Sequence, residues 1–257
     1  MTKPDYGLDA PPVVRNLIVA GACCLVAGFV GFGLLAGIQP ALAVGVLIAM
    51  LFSVLCFLVT VAAMAWSSRR GKLRLRERLV DSLGLQGSEV VLDVGCGRGL
   101  LLNYAAKKLS SGKAIGLDLW QTEDLSGNAL EVTLSNARRE NVVDKVEVRS
   151  GDMRKMPFPD ESVDIVLSNI AVHNIVDQTG REQAIREISR VLRPGGRAVI
   201  ADFRHVEEYA SILKSLHWSS VEVSARNFLI FPPVRVLRGT KPGPRARADQ
   251  GSGSETP

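Results

Sequence analysis

Residues 90–99 read VVLDVGCGRG, an apolar run that meets a carboxylate, Asp93, and then three glycines at alternate positions. Gly95, Gly97 and Gly99 permit a tight turn and a close backbone approach to a ligand. A carboxylate aimed at a pyrophosphate repels it, whereas a carboxylate beside a cation attracts it. The G-x-G-x-G spacing also departs from the G-x-G-x-x-G of dinucleotide sites. The loop therefore points to a ligand with a positive charge and no phosphate. Further on, Asp118 closes a second apolar run in AIGLDLW, and Asp152 and Met153 follow a third. Asn169 ends a fourth, with His173 just beyond it. A carboxylate closing the second strand of such a fold is placed to accept both hydroxyls of a ribose. His173 has the side-chain type suited to a general base. His205 in ADFRH is a second candidate, and His217 reads as structural. Plainer readings stand beside these. Asp93 also fits a cap for the next helix, Asp118 and Asp152 fit turns, and Cys96 fits a small buried filler better than a nucleophile. The four cysteines, Cys23, Cys24, Cys56 and Cys96, form no C-x-x-C or Cys/His cluster, so neither a metal site nor a disulfide framework is expected.

The elements that must hold these residues alternate. Strands are expected at Val90–Val94, Ala114–Leu119, Val146–Ser150, Val163–Asn169 and Arg197–Asp202. Helices are expected at Leu100–Leu109, Ala129–Glu140, Glu182–Leu192 and Val206–Leu216, with Pro194-Gly195-Gly196 stopping the third. Two last strands, Val221–Arg226 and Pro233–Arg238, have no helix between them and read as an edge hairpin. The pattern predicts an α/β fold, a doubly wound and mostly parallel seven-stranded sheet. In such sheets ligands sit at the carboxyl ends of the strands, where strand order reverses.

The N-terminal quarter differs. Leu17–Ile38 and Ala41–Trp66 are two runs without a charged residue, broken only by Gln39-Pro40. A helix needs about 20 apolar residues to cross a bilayer, and both runs suffice. Ala41-Leu42-Ala43 has the look of a signal cleavage site, but the first run is longer than a usual signal core and a second follows at once. A buried soluble hairpin would need a large protein shell around it. A transmembrane helical hairpin at 17–66 is expected, after a cytosolic segment 1–16. Arg15 precedes it and Arg69, Arg70, Lys72, Arg74 and Arg76 follow it, while the turn carries no basic residue. That bias predicts a two-span protein of the inner or cytoplasmic membrane with both termini and the main domain in the cytosol. The net charge of +5 is thus an anchoring matter, and the basic cluster suits anionic lipid better than nucleic acid. Residues 67–88 read as a basic amphipathic linker helix, 89–240 as the ligand-binding domain, and 241–257 as a disordered tail rich in Pro, Gly and Ser.

The segment VLDVGCGRG, with Asp118 nineteen residues after Gly99, resembles the first two motifs of the class I S-adenosylmethionine-dependent methyltransferases. GDMRKMPFPDESVDIVLSNIAVHNI resembles that family's third and fourth strand region, and REISRVLRPGGRAVIADF its next helix, turn and fifth strand. The nearest flavour is the subfamily of quinone-biosynthesis and arsenite-type methyltransferases; the two apolar runs lie outside the common pattern. The resemblance implies a Rossmann-like fold, S-adenosyl-L-methionine as cofactor and methyl transfer. It implies that Gly95, Cys96, Gly97 and Gly99 surround the methionyl part, with Asp93 supporting its ammonium. Asp118 and Leu119 then fall at the ribose, Asp152 at the adenine amino group, Met153 on the adenine ring and Asn169 beside the reactive methyl. Arsenite chemistry needs several thiols, and the domain offers only Cys96, so that acceptor is excluded. The expected function is a membrane-anchored methyltransferase for a small, membrane-partitioning acceptor of quinone-precursor, polyprenyl or lipid type. The alternative is a non-catalytic S-adenosylmethionine-binding sensor or assembly subunit. A nicotinamide-dependent oxidoreductase is disfavoured by the glycine spacing and Asp93. The acceptor atom and the oligomeric state stay open.

Overall fold

The computed structural model describes residues 3–121 and 127–243; most of the tail expected beyond residue 241 lies outside them. The strands are β1 Val90–Val94, β2 Lys113–Asp118, β3 Val146–Ser150, β4 Val163–Asn169, β5 Leu192–Asp202, β6 Ser219–Val223 and β7 Arg235–Thr240. They form one sheet in the order β3-β2-β1-β4-β5-β7-β6. The first five are parallel, and β7 runs antiparallel between β5 and β6. The order reverses between β1 and β4, which puts the glycine loop at the switch point.

The helices are α1 Pro11–Leu35, α2 Pro40–Trp66, α3 Lys72–Asp81, α4 Leu100–Lys108, α5 Leu130–Arg139, α6 Gln178–Val191 and α7 Val206–Ser215. Strands buried on both faces read as continuous apolar runs, and successive residues of β1 supply two cores. Leu92 packs with Val166 and Ile200 against Ile185 and Ile188 of α6 and Leu213 of α7. Val91 packs with Ile165 and Val199 against Leu102 of α4 and Leu75 and Leu79 of α3. Asp177 caps α6 by accepting from the Gly180 amide at 2.6 Å. Contrary to the sequence reading, Pro194-Gly195-Gly196 does not stop that helix. The chain turns from α6 into β5 at Leu192, and the triplet is an excursion inside the strand, where the pairing slips from Val163–Leu192 to Ile165–Arg197.

α1 and α2 pack side by side and are long and apolar enough to cross a membrane. In their most apolar windows only 11% and 6% of residues are buried, so the rest of the chain does not enclose them. α1 starts at Pro11, ahead of the apolar run, because proline suits the first turn. α2 does not end at the membrane boundary expected from sequence. It passes through a π-helical turn, Ser67–Gly71, into α3, one helical segment from Pro40 to Asp81. α3 is a covering helix of the sheet, packing Leu75 and Leu79 into its core. Lys72 and Arg76, read from sequence as part of a lipid-facing cluster, are buried; Arg69, Arg70 and Arg74 remain exposed.

The loop between β6 and β7 folds down on the π turn. The Phe231 amide donates to Ser67 Oγ at 2.8 Å, and the Leu229 carbonyl occupies the space a side chain on Gly71 would need. Backbone cannot yield there as a flexible side chain would. Gly71→Ala is expected to lower stability by about 1–3 kcal/mol, seen as a reduced Tm in detergent solution. Gly45→Ala, which meets nothing within 4 Å, should cause no such loss.

Candidate active site

A cavity of about 1010 Å³ lies along the carboxyl edge of the parallel strands. Its floor collects Gly95, Cys96 and Gly97 after β1, Asp118 and Leu119 after β2, and Gly151 to Arg154 after β3. Asn169, Ala171 and His173 after β4 and Phe203 and Arg204 after β5 complete it. The sequence-expected residues therefore converge, with three exceptions: Asp93, Gly99 and His205 do not line the cavity.

Asp93 is 2% exposed and sits beneath the loop. Its Oδ2 accepts from the Leu102 amide in the first turn of α4 at 2.9 Å. This contact is the helix-capping reading of Asp93, and the expected support of the ligand's ammonium, directly or through water, would have to come from beneath the loop. Burial, reinforced by the nearby charge of Asp118 and opposed by the Leu102 bond, pushes its carboxyl up to about 7. Gly99 takes φ 82° as the residue preceding α4, a left-handed conformation that suits glycine. Gly95, at φ 72°, faces Ala171 so closely that a side chain would collide with it. The loops after β1 and β4 thus touch through a glycine. Cys96 is buried against Gly116, and burial with the charges of Asp93 and Asp118 raises its thiol, so it remains protonated.

Asp118 organises the loop. Its Oδ2 accepts from the Gly97 amide at 2.7 Å, and its Oδ1 from the Trp120 amide at 2.7 Å and Asn128 Nδ2 at 3.2 Å. Leu119 is half exposed at the cavity edge. Both oxygens of Asp152 are held by Arg154, which keeps that carboxyl below its usual range. Met153 lines the cavity beside it. Asn169 and Asn128, both lining residues, each bury an Oδ1 that has no hydrogen-bond partner among the described residues. Unpaired buried acceptors are costly, and they mark places where a ligand's donors belong.

His173 lies in a short 3₁₀ turn, Val172–Asn174. Its Nδ1 is 2.9 Å from Oδ1 of Asp202, a fully buried carboxylate at the end of β5. The His173 amide donates to the other oxygen, and the ring stacks at a tilt on Phe203, 4.3 Å between centroids. Sequence reasoning missed Asp202; the signal available was a carboxylate ending another parallel strand, as Asp118 does. His205 is not part of the cavity; its Nδ1 lies 3.4 Å from Glu208 at the start of α7. No spacing in the chain points to the cavity's roof. The N-terminal segment supplies Tyr6 and Asp9, α1 supplies Val13 and Leu17, α2 supplies Thr60 and Met64, and the loop before β7 supplies Ile230–Pro232.

A family model described as a methyltransferase domain matches residues 92–200, the stretch that carries this floor. This is a class I S-adenosylmethionine-dependent methyltransferase domain. The chain is similar to methyltransferase GfsG of Streptomyces halstedii, 35% identical over 50% of this chain and 43% of that one. It is also similar to a demethylmenaquinone methyltransferase of Lactobacillus johnsonii, 28% identical over 64% and 60%. The methyltransferase domain has the fold of an S-adenosylmethionine-dependent methyltransferase from Aquifex aeolicus, with TM-score 0.52, 20% identity, and 66% and 92% covered. The chain spans about half the length of the curated relatives it matches.

The residues present fit S-adenosylmethionine. A glycine-rich loop at a helix start suits a carboxylate, and the two asparagine oxygens without a partner among the described residues await hydroxyl or amino donors. Asp93 gives the methyltransferase domain a pH signature. A folded-state carboxyl near 7 and an unfolded one at the ordinary 3.8 mean that the folded protein binds the proton more tightly. The associated stability is complete below the unfolded value and lost as pH rises through about 7. The Tm of Asp93→Asn relative to the native chain should therefore climb between these pH values and level off above them; a pH series of thermal melts reads it.

Proposed function

We propose that this chain transfers a methyl group from S-adenosylmethionine to a small, membrane-partitioning acceptor, working at the cytosolic face of the membrane that its two apolar helices span. The observation that carries the reading is one continuous cavity, floored by the methyltransferase loops and roofed by the first turns of α1 and the last turns of α2. The apolar surface of both helices and the exposed Arg69 and Arg70 beyond α2 favour the two-span topology with a cytosolic domain. The demethylmenaquinone methyltransferase relative makes a quinone precursor one natural acceptor type, beside polyprenyl and lipid compounds. An anchored enzyme meets such molecules at high local concentration.

S-adenosylmethionine supplies an electrophilic methyl on a positively charged sulfur. Asp118 and Asn128 are the groups to hold ribose hydroxyls, Asp152 and Met153 to hold the adenine, and Asn169 to face the reacting end. The glycine loop receives the methionyl carboxylate. Because the leaving group is good, alignment of donor and acceptor does much of the work. His173 takes the acceptor's proton. Asp202 Oδ1 stands 2.9 Å from Nδ1 without the alignment of a hydrogen bond in this structure, and an Nδ1–H turned towards it leaves Nε2 as the basic nitrogen. Asp202 is a positioning residue, and Phe203 holds the ring from its face.

Wild-type protein, labelled donor and a native membrane lipid extract should yield a labelled lipid; no transfer of label would favour the sensor alternative. Calorimetry is expected to show binding of S-adenosylhomocysteine and none of NAD. Binding of NAD alone would overturn the assignment. His173→Gln should lower kcat by about 10²–10⁴ while S-adenosylhomocysteine affinity persists. Asp202→Asn should lower kcat less, with KM and S-adenosylhomocysteine affinity retained. Full turnover by His173→Gln would remove the base from the mechanism.

A further inference from the structure

The cavity changes character along its length. Near the strand ends it is polar, with Asp118, Asn169 and His173. At the far end it is walled by Val13 and Leu17 of α1 and Thr60 and Met64 of α2. Each pair is spaced by four residues, so each occupies one face of its helix. Thr60 adds no free polarity, because its hydroxyl donates back to the Cys56 carbonyl at 2.8 Å. Deeper in the hairpin the helices close on one another: Gly21 meets Phe57, Gly28 meets Met50 and Gly31 meets Val46. One turn before Gly21, Leu17 lines the cavity, with Thr60 and Met64 lining it from α2. Leu17 and Thr60 stand roughly 9 Å inside the ends of their helices at 1.5 Å per residue.

Resting on the methyl-transfer reading above, we infer that the cavity-lining ends of α1 and α2 are a lateral port for a tailed acceptor. The acceptor is a single-tailed amphiphile whose head carries an ionisable hydroxyl. Its head reaches His173 while its tail stays between Val13, Leu17, Thr60 and Met64, open to the cytosolic leaflet. A water-soluble acceptor has no use for an apolar wall on this side of the site. A tail also relieves the protein of extracting the whole molecule from the bilayer, because only the head must leave hydrocarbon.

The test uses the full chain in phosphatidylcholine nanodiscs with S-adenosylhomocysteine and two photoreactive probes. Both are para-dodecylphenol, one with a diazirine at the tail end and one with it beside the ring. The tail probe should tag peptides spanning 12–17 and 60–67 several-fold more than lipid-facing Phe29 or Phe52, and the ring probe should tag 169–176 or 203–204. Combining Leu17→Trp with Thr60→Trp should abolish the tail tagging, whereas Leu34→Trp, far along α1, should leave it in place. Retained S-adenosylhomocysteine affinity reports that the double variant is folded; if it is lost, the wild-type tagging pattern decides alone. Tail tags spread evenly over the hairpin, or undiminished in a folded double variant, overturn the port. Transfer of labelled methyl to native lipid by the wild type, measured separately, tells that failure apart from a failure of the methyltransferase reading.

Discussion

Lys72 places an ammonium where the side chain is almost wholly enclosed, and a charge there costs several kcal/mol unless every proton finds an acceptor. Its three donors meet three oxygens: the Tyr6 carbonyl at 2.9 Å, the Gly7 carbonyl at 2.7 Å and Asp9 Oδ1 at 3.0 Å. Burial lowers its pKa, and Asp9 works in the opposite direction. All three acceptors belong to the segment before α1, which must therefore lie against the start of α3. From there Asp5 reaches Asn136 and Arg98, and Tyr6 donates to Glu140, which also pairs with Arg76 and Lys107. These contacts tie the apolar hairpin, α3, the glycine loop and α5 into one body. Without them the cavity would have a floor and no roof.

The two acids near the glycine loop have separate duties. Asp93, buried and pushed towards neutrality, supports α4 from below. Asp118 stands at the cavity and holds the loop backbone through Gly97. The carboxylate that faces the cavity is thus Asp118, while Asp152 is paired with Arg154 across the floor. The nearby charge of Asp118 is one of the causes that push Asp93 towards its neutral form.

The parallel core and the ligand edge were legible because they are local. Apolar runs such as VVLDV and IVLS name buried strands, and glycines with carboxylates mark the ends that bind. Asp118, Asp152, Met153, Asn169 and His173 arrive at one cavity for that reason. What escaped depends on partners distant in the chain. Asp5 bonds Asn136, Tyr6 bonds Glu140, and Ser67 bonds Phe231, pairings that no spacing rule encodes. Asp202 looked like a strand end until its contact with His173 was visible. The depth of Asp93 beneath its loop was equally unreadable, since a carboxylate before glycines serves a ligand or a helix with the same sequence. The Pro194-Gly195-Gly196 triplet has strong turn chemistry, yet it is accommodated as an excursion within β5.

The π turn at Ser67–Gly71 has a geometric effect of its own. A wider turn accommodates an additional residue, which advances the angular phase of everything after it by about 100°. The hydrophobic stripe of Leu75 and Leu79 is thereby aimed independently of the outward-facing side chains of α2. One unbroken shaft turns one azimuth outward and another to the sheet, with no proline bend between them.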